Sequence, residues 1–250
     1  MAGPLGWRAR IGHIAPYIHG ISPCALEEQR SVVPDGVEFI EAKLMFPEKA
    51  EPGVRDDTEA FPLMLGLIEQ AAREVALQKP DVIMQMGGAI SIFRGWGGDR
   101  DIVSKIEAAT GIPAVTHGMA EVEAMKRMGI RKVVVVTPYA EGVNKALLDY
   151  FAGAGLEVVT LKRLGTVRDV YAMSPHGLFR PVKETFLNAG PADGVIMMCG
   201  AIRTFEIIQA LEDDIRKPVI TAVQAGLWKA LDMVNVRTPI KGYGKLLESL

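Results

Sequence analysis

Short apolar, β-branched runs alternate along the chain with longer stretches in which apolar residues recur every three or four positions. The runs predict strands at Ala9–Ile14, Val37–Leu44, Asp81–Met86, Ala114–Thr116, Lys132–Thr137, Leu156–Lys162, Gly194–Cys199 and Pro218–Thr221. Val133–Val136 is an unbroken valine run, as expected of a parallel strand covered on both faces. Helical periodicity falls between the strands. Thr58–Gln78 repeats Leu63, Leu67, Ala71 and Val75 at four-residue steps. Val103–Thr110, Ala120–Met128, Glu141–Ala154, Pro181–Asn188, Thr204–Ile215 and Ala225–Met233 follow. Strands alternating with helices spell βαβ units, a parallel sheet and right-handed crossovers. Gly111, Gly129, Gly155 and Gly190 stand where helices end in a left-handed residue. Ile21–Pro34 and Phe46–Asp57 break the rhythm and read as loops. The second is long and charged, suited either to a lid or to a plain surface excursion.

Two stretches read alike. Asp81-Val-Ile-Met-Gln-Met-Gly-Gly-Ala89 aligns without gaps on Asp193-Gly-Val-Ile-Met-Met-Cys-Gly-Ala201. Each is followed by a helix, then by a short strand entered through proline and closed by threonine: Gly111-Ile-Pro-Ala-Val-Thr116 and Arg216-Lys-Pro-Val-Ile-Thr221. Any two strand–glycine–helix units share some likeness; the common proline–strand–threonine continuation argues for duplication. The expected fold is α/β: two similar parallel-sheet halves related by a pseudo-twofold axis, with the site between them. Residues 1–116 and the tail from about 222 to 250 form the expected first half, and 117–221 the second. Ligands in such sheets sit beyond the carboxyl ends of the strands, where both glycine corners fall.

Composition removes other classes. The chain has 250 residues, 49% hydrophobic, with 28 basic and 30 acidic side chains and a net charge of −2. This is core enough for a globular protein and no electrostatic footprint for nucleic acid. No apolar stretch reaches a membrane-spanning length, no leader-like run opens the chain, and two cysteines build no disulfide framework. A cytoplasmic protein is the expectation. There is no Walker-type loop, no H-E-x-x-H, no C-x-x-C and no G-x-S-x-G. Gly95-Trp-Gly-Gly98 lacks the dinucleotide spacing. The chemistry is expected to need neither metal nor cofactor.

Cys199 is the chief candidate. A cysteine after an apolar run is often plain core. This one ends a strand, precedes a glycine and is expected to open a helix, where a thiolate is stabilised. Its counterpart in the other copy is Gly87, so the cleft carries one thiol where symmetry allows two. Tyr139, at the end of the valine strand, is placed to donate to an oxyanion or simply to pack. Pro16 follows the first strand and shapes the cleft floor. Gly88, Ala89 and Gly200 offer backbone N–H groups. Cys24 lies in the first loop without such a corner. His13 and His117 read as structural histidines, His19 and His176 as loop residues. Arg94 and Arg203 follow the two corners and suit surface ion pairs better than substrate binding.

These residues resemble the aspartate/glutamate racemase superfamily, and within it the branch of arylmalonate decarboxylases and maleate cis-trans isomerases. The resemblance runs over nearly the whole chain. It rests on Gly12–Pro16, Met86-Gly-Gly-Ala-Ile-Ser-Ile-Phe-Arg-Gly95, Ala109-Thr-Gly-Ile-Pro113, Thr137-Pro-Tyr-Ala-Glu-Gly-Val-Asn144, Cys199–Gly200 and Gly242-Tyr-Gly244. It implies a thiol in each half for racemases and isomerases, and only the second for decarboxylases. Gly87 and Cys199 fit the latter. The implied reaction is loss of CO₂ from an α-substituted malonate-type dicarboxylate, with Cys199 protonating the enediolate. Tyr139 and the Gly88–Ala89 corner match oxyanion-hole positions. An isomerase or racemase of a small carboxylic acid, and a non-catalytic carboxylate binder, are the alternatives. One departure stands out: the decarboxylase pattern has threonine then serine where this chain has Gly88 and Ala89. Ser91 offers a nearby hydroxyl but reads as a helix-surface residue.

Overall fold

The computed structural model describes residues 6–18, 20–21, 24–46 and 60–250. Its strands are β1 (Ala9–Tyr17), β2 (Val37–Met45), β3 (Val82–Gln85), β4 (Ala114–Thr116), β5 (Lys132–Thr137), β6 (Glu157–Arg163), β7 (Gly194–Met197) and β8 (Val219–Thr221). The helices are α1 (Ala25–Val32), α2 (Ala60–Ala76), α3 (Gly88–Ile92), α4 (Asp99–Thr110), α5 (His117–Arg127), α6 (Glu141–Gly153), α7 (Val167–Ala172), α8 (Pro175–Leu187), α9 (Phe205–Ile215), α10 (Ala222–Met233) and α11 (Lys245–Glu248). The strands form two four-stranded parallel sheets, ordered β2-β1-β3-β4 and β6-β5-β7-β8. The four valines of β5 are fully buried, as a doubly covered strand requires.

The duplication extends to the hydrogen bonds. Asp81 accepts from the Arg10 backbone N–H at 2.7 Å, while Asp193 accepts from those of Arg131 and Lys132 at 3.0 and 2.9 Å. Each aspartate ties the foot of its repeat to the neighbouring strand. Glu107 accepts from Ala114 N–H at 3.1 Å, and Glu212 from Val219 N–H at 3.0 Å, fixing β4 and β8 beside their preceding helices. Thr116 and Thr221 both cap the helix that follows, accepting from Met119 and Gln224 N–H at 3.2 Å. The threonine shared by the two sequence repeats is therefore a pair of N-caps. Helices α5 and α10 pack on each other, and α5 also meets β4 and β8.

Several boundaries differ from expectation. Helix α1 occupies part of the stretch expected as loop; it is short and mostly polar, but Ala25 and Gln29 are buried. Helix α8 begins at Pro175 rather than Pro181, because Ser174 caps it and Pro175 fills the first turn; Pro181 lies inside. Helices α3, α7 and α11 are too brief to leave a period. His19 and, beyond Phe46, all of the expected Phe46–Asp57 loop lie outside the described residues. No helix among the described residues is long and apolar enough to cross a membrane.

Candidate active site

Strands β3 and β7 end in matching corners. Gly87 has φ +90° and Cys199 φ +94°, the left-handed region that L-residues seldom enter. Both follow a residue whose N–H is held across the sheet, Met86 by Ile14 O and Met198 by Val136 O, each at 2.9 Å. The corners diverge afterwards. Gly87 leads straight into α3, but Cys199 leads into a turn, and α9 starts only at Phe205. The expected helix N-terminus at the thiol is thus absent, because Gly200–Ile202 turn before the helix begins.

The thiol is 8% exposed. Burial pushes Cys199 up to about 11, against the opposing pull of the Ala201 N–H and the Tyr139 hydroxyl. The Ala201 N–H donates to its sulfur at 3.4 Å. At neutral pH the group is a thiol holding a proton, suited to donating it.

Tyr139 stands next to this sulfur. Its hydroxyl hydrogen-bonds to Cys199 and receives the Ala89 N–H, so it joins the two corners. Burial first, then Cys199 and Glu121, hold the phenol well above its ordinary value, and it remains a donor. The sequence around it fixes its place. The Thr137 hydroxyl accepts from the Tyr139 N–H at 3.1 Å, and the Asn144 amide donates to the Tyr139 carbonyl at 2.8 Å. This gives the Thr137–Asn144 motif its physical content.

Ala15, Pro16, Met86, Gly87, Ala89, Ile90, His117, Tyr139, Cys199, Gly200, Ala201 and Val167, with Ile18, Ile21, Ala25 and Phe46 at one side, line a cavity of ≈ 620 Å³ counting its open mouth. Gly88 sits behind this lining, buried. Among the described residues no lysine or arginine lines the cavity. Arg94 pairs with Asp101 at 3.1 Å on the surface, and Arg203 is exposed outside the lining. His176 lies at the start of α8.

Ser91 is fully buried rather than on a helix surface. Its hydroxyl donates to Gly88 O at 2.9 Å and accepts from Gly118 N–H at 3.1 Å, tying the corner to the first turn of α5. A Cβ on Gly118 would fall 2.9 Å from both this hydroxyl and that of Tyr150, so only glycine fits. Cys24 immediately precedes α1, and its sulfur contacts Gly200 O at 3.7 Å. It therefore lies on the Cys199 side of the cleft, not opposite it.

His117 is a lining residue that sequence reasoning passed over as structural. The Gly87 N–H approaches its Nδ1 at 3.4 Å, while Nε2 has no partner and faces Gly226, whose Cβ would be 2.6 Å away. Burial pushes it down to about 4. His13 lies mid-strand against the Phe39 ring at 5.1 Å, with neither ring nitrogen partnered. Burial, then His117, push it down to about 3. Both imidazoles are neutral at pH 7. A folded-state pKa below the free value of 6.5 means full stability above 6.5, lost as pH falls towards 3–4. Replacing His13 with leucine should flatten this loss. Between roughly pH 6.5 and 4.5 the parent should lose about 2–3 kcal/mol of unfolding free energy more than the variant, read by denaturant titration. Parallel profiles would rule out a neutral buried His13.

The family model described as arylmalonate decarboxylase matches residues 21–247. An arylmalonate decarboxylase of Bordetella bronchiseptica is 26% identical over 194 residues, covering 76% of this chain and 80% of its own. A maleate isomerase of Alcaligenes faecalis is 29% identical over 143 residues, covering 56% and 55%. The solved structure of unliganded arylmalonate decarboxylase superposes with a TM-score of 0.83 at 25% identity, over 97% of this chain and all of that one.

Proposed function

The chain belongs to the arylmalonate decarboxylase family, and within it we propose a cofactor-independent decarboxylase acting on an α-substituted malonate-type dicarboxylate. One observation carries the reading: a single protonated thiol, Cys199, faces a glycine corner, Gly87, across a mostly apolar cavity. One carboxylate is held by the Tyr139 hydroxyl and the N–H groups of the Gly88–Ala89 and Gly200 corners. The other lies against the apolar wall of Ile18, Ile21, Phe46 and Val167, where poor solvation favours its departure as CO₂. The C–C bond breaks and its electron pair passes into the enediolate, stabilised by the same donors. Cys199 gives its proton to the α-carbon from one face, and the thiolate regains a proton from water.

The reading is tested by CO₂ release from a panel of α-substituted malonates in heavy water. A decarboxylase yields a single enantiomer bearing one deuterium at the α-carbon. Conversion of maleate to fumarate without CO₂ release would overturn it in favour of the isomerase reading. That alternative needs a nucleophile or second proton carrier opposite Cys199. The imidazole on that side, His117, has Nδ1 turned to the Gly87 N–H and Nε2 turned to α10.

Gly87→Cys creates the missing group. The corner accepts a non-glycine residue at φ +94° in its second copy, but a Cβ at Gly87 meets Pro16 Cγ at 2.7 Å. The variant should therefore lose about 1–3 kcal/mol of stability. It should also gain exchange of the α-hydrogen of the product acid with heavy water, followed by NMR. No gain in exchange in the folded variant would remove Gly87 from the cleft face.

A further inference from the structure

Glu121 has no task in the mechanism above. It is fully buried on α5, and neither carboxyl oxygen has a hydrogen-bond partner. An orphaned acid in a core is costly, and an apolar residue there would be the stable choice. It lies behind the cavity lining, on the far side of Gly88. A Cβ on Gly88 would lie 3.1 and 3.3 Å from the two carboxyl oxygens and 3.5 Å from Met198 Cε. The carboxyl thus fills the side-chain space of residue 88, between the two corners. Tyr139 and Cys199, both lining the cavity, feel its charge. Gly87, Gly88 and Ala89 have no side-chain donor of their own.

We infer that Glu121, in its acid form, is the side-chain hydrogen-bond donor of the Gly88–Ala89 corner, contacting a substrate carboxylate through the gap that Gly88 leaves. The ligand chemistry rests on the decarboxylase reading above. Burial pushes Glu121 up to about 8, so the acid form prevails at neutral pH. A buried carboxyl kept neutral donates a proton to a carboxylate, where an ionised one repels it. The titratable groups around it are Tyr139 beyond β5, Cys199 beyond β7, and Tyr150 on α6, whose hydroxyl donates to Asp99 of α4. His117 stands one turn earlier on α5, and Glu123 on the same helix pairs with Lys229 of α10 at 2.6 Å. With both histidines neutral and Cys199 held up to about 11, it is Glu121 that changes charge near pH 8.

The test is calorimetric binding of phenylmalonate to the Cys199→Ala protein, from below to above the Glu121 transition near pH 8. Affinity should fall about tenfold per pH unit above that transition. Glu121→Gln, which keeps a donor, should bind within about threefold of the parent below it and lose the pH dependence. Glu121→Val should bind about 10–100-fold more weakly. Adding Gly88→Ser to Glu121→Val should recover at least about tenfold, since a hydroxyl then occupies the same space. The free protein supplies a second readout: infrared carbonyl absorption of neutral carboxylic acid that persists at about pH 7.5 and is reduced in Glu121→Gln, with Glu28, pushed up to about 7 by burial, contributing the remainder. If Glu121→Val binds like the parent, or if serine fails to rescue it, Glu121 is not the donor and the decarboxylase reading survives. If the parent protein neither binds nor decarboxylates any malonate, both fall together.

Discussion

Cys199→Ala should lower the rate of CO₂ release by roughly 10²–10⁴-fold, the range of a positioned general acid, while leaving malonate affinity nearly unchanged. The thiol is asked to do one thing, to deliver a proton to the α-carbon. Its surroundings arrange this in three ways. Burial keeps it protonated, up to about 11. The Ala201 N–H at 3.4 Å receives the thiolate left behind. The φ of +94° aims the side chain out of the strand end and into the cavity. Alanine keeps the backbone strain and removes the proton. Residual product should then be racemic, because water reaches both faces of the enediolate. A variant that retained full rate and a single enantiomer would end the one-thiol mechanism. Cys199→Ser is the companion control: it preserves shape, but its far weaker acidity should restore little.

Tyr139→Phe should lower kcat by about 10²–10³-fold, the 2.7–4 kcal/mol typical of losing one oxyanion donor. The ring is 4% exposed, so phenylalanine fills the same volume. The change removes only the hydroxyl that links the Ala89 N–H with the Cys199 sulfur. Two consequences should separate in the kinetics. The loss should fall on kcat more than on KM, since the enediolate needs the donor more than the ground-state carboxylate does. The thiol should also rise further, having lost a partner for its anion, and thiol-specific alkylation at high pH should slow. A drop of less than about threefold in kcat would show the hydroxyl to be a packing feature.

Much of this architecture was legible because it is periodic. All eight strands announce themselves as short apolar runs, and the repeat pairs Gly87 with Cys199, which the matching φ of +90° and +94° support. What escaped detection was local or negative in character. Helix α1 hides in a polar stretch because only Ala25 and Gln29 of it are buried. The helix expected at Cys199 fails because the six residues after Met198 turn first, a geometry the aligned Gly–Ala pair does not reveal. Ser91 looked like a surface hydroxyl because a five-residue helix has no period from which to read its inner face. Glu121 was invisible for a different reason. A glutamate inside a helix reads as solvated, and only the space above Gly88 reveals it as buried. His117 and Glu121 do stand four apart, which places them on one face of α5, but that spacing alone names no partner.

Helix α1 has a consequence for the molecule as a thermodynamic body. It follows the first strand of the first sheet in sequence, yet it reaches the second repeat through Glu28, as well as α10. Thr204 and Phe205 N–H groups donate to Glu28 at 2.6 and 2.8 Å, and the Gln29 amide donates to Val223 O at 3.0 Å. Two halves with separate sheets and separate aspartate and glutamate ties have the makings of two independent melting units. The Glu28 contacts deny them that independence. Parting the halves strips the N–H groups at the start of α9 of their Glu28 acceptor. The chain holds two copies of one design, and the Glu28 contacts of an eight-residue helix couple the opening of one to the other.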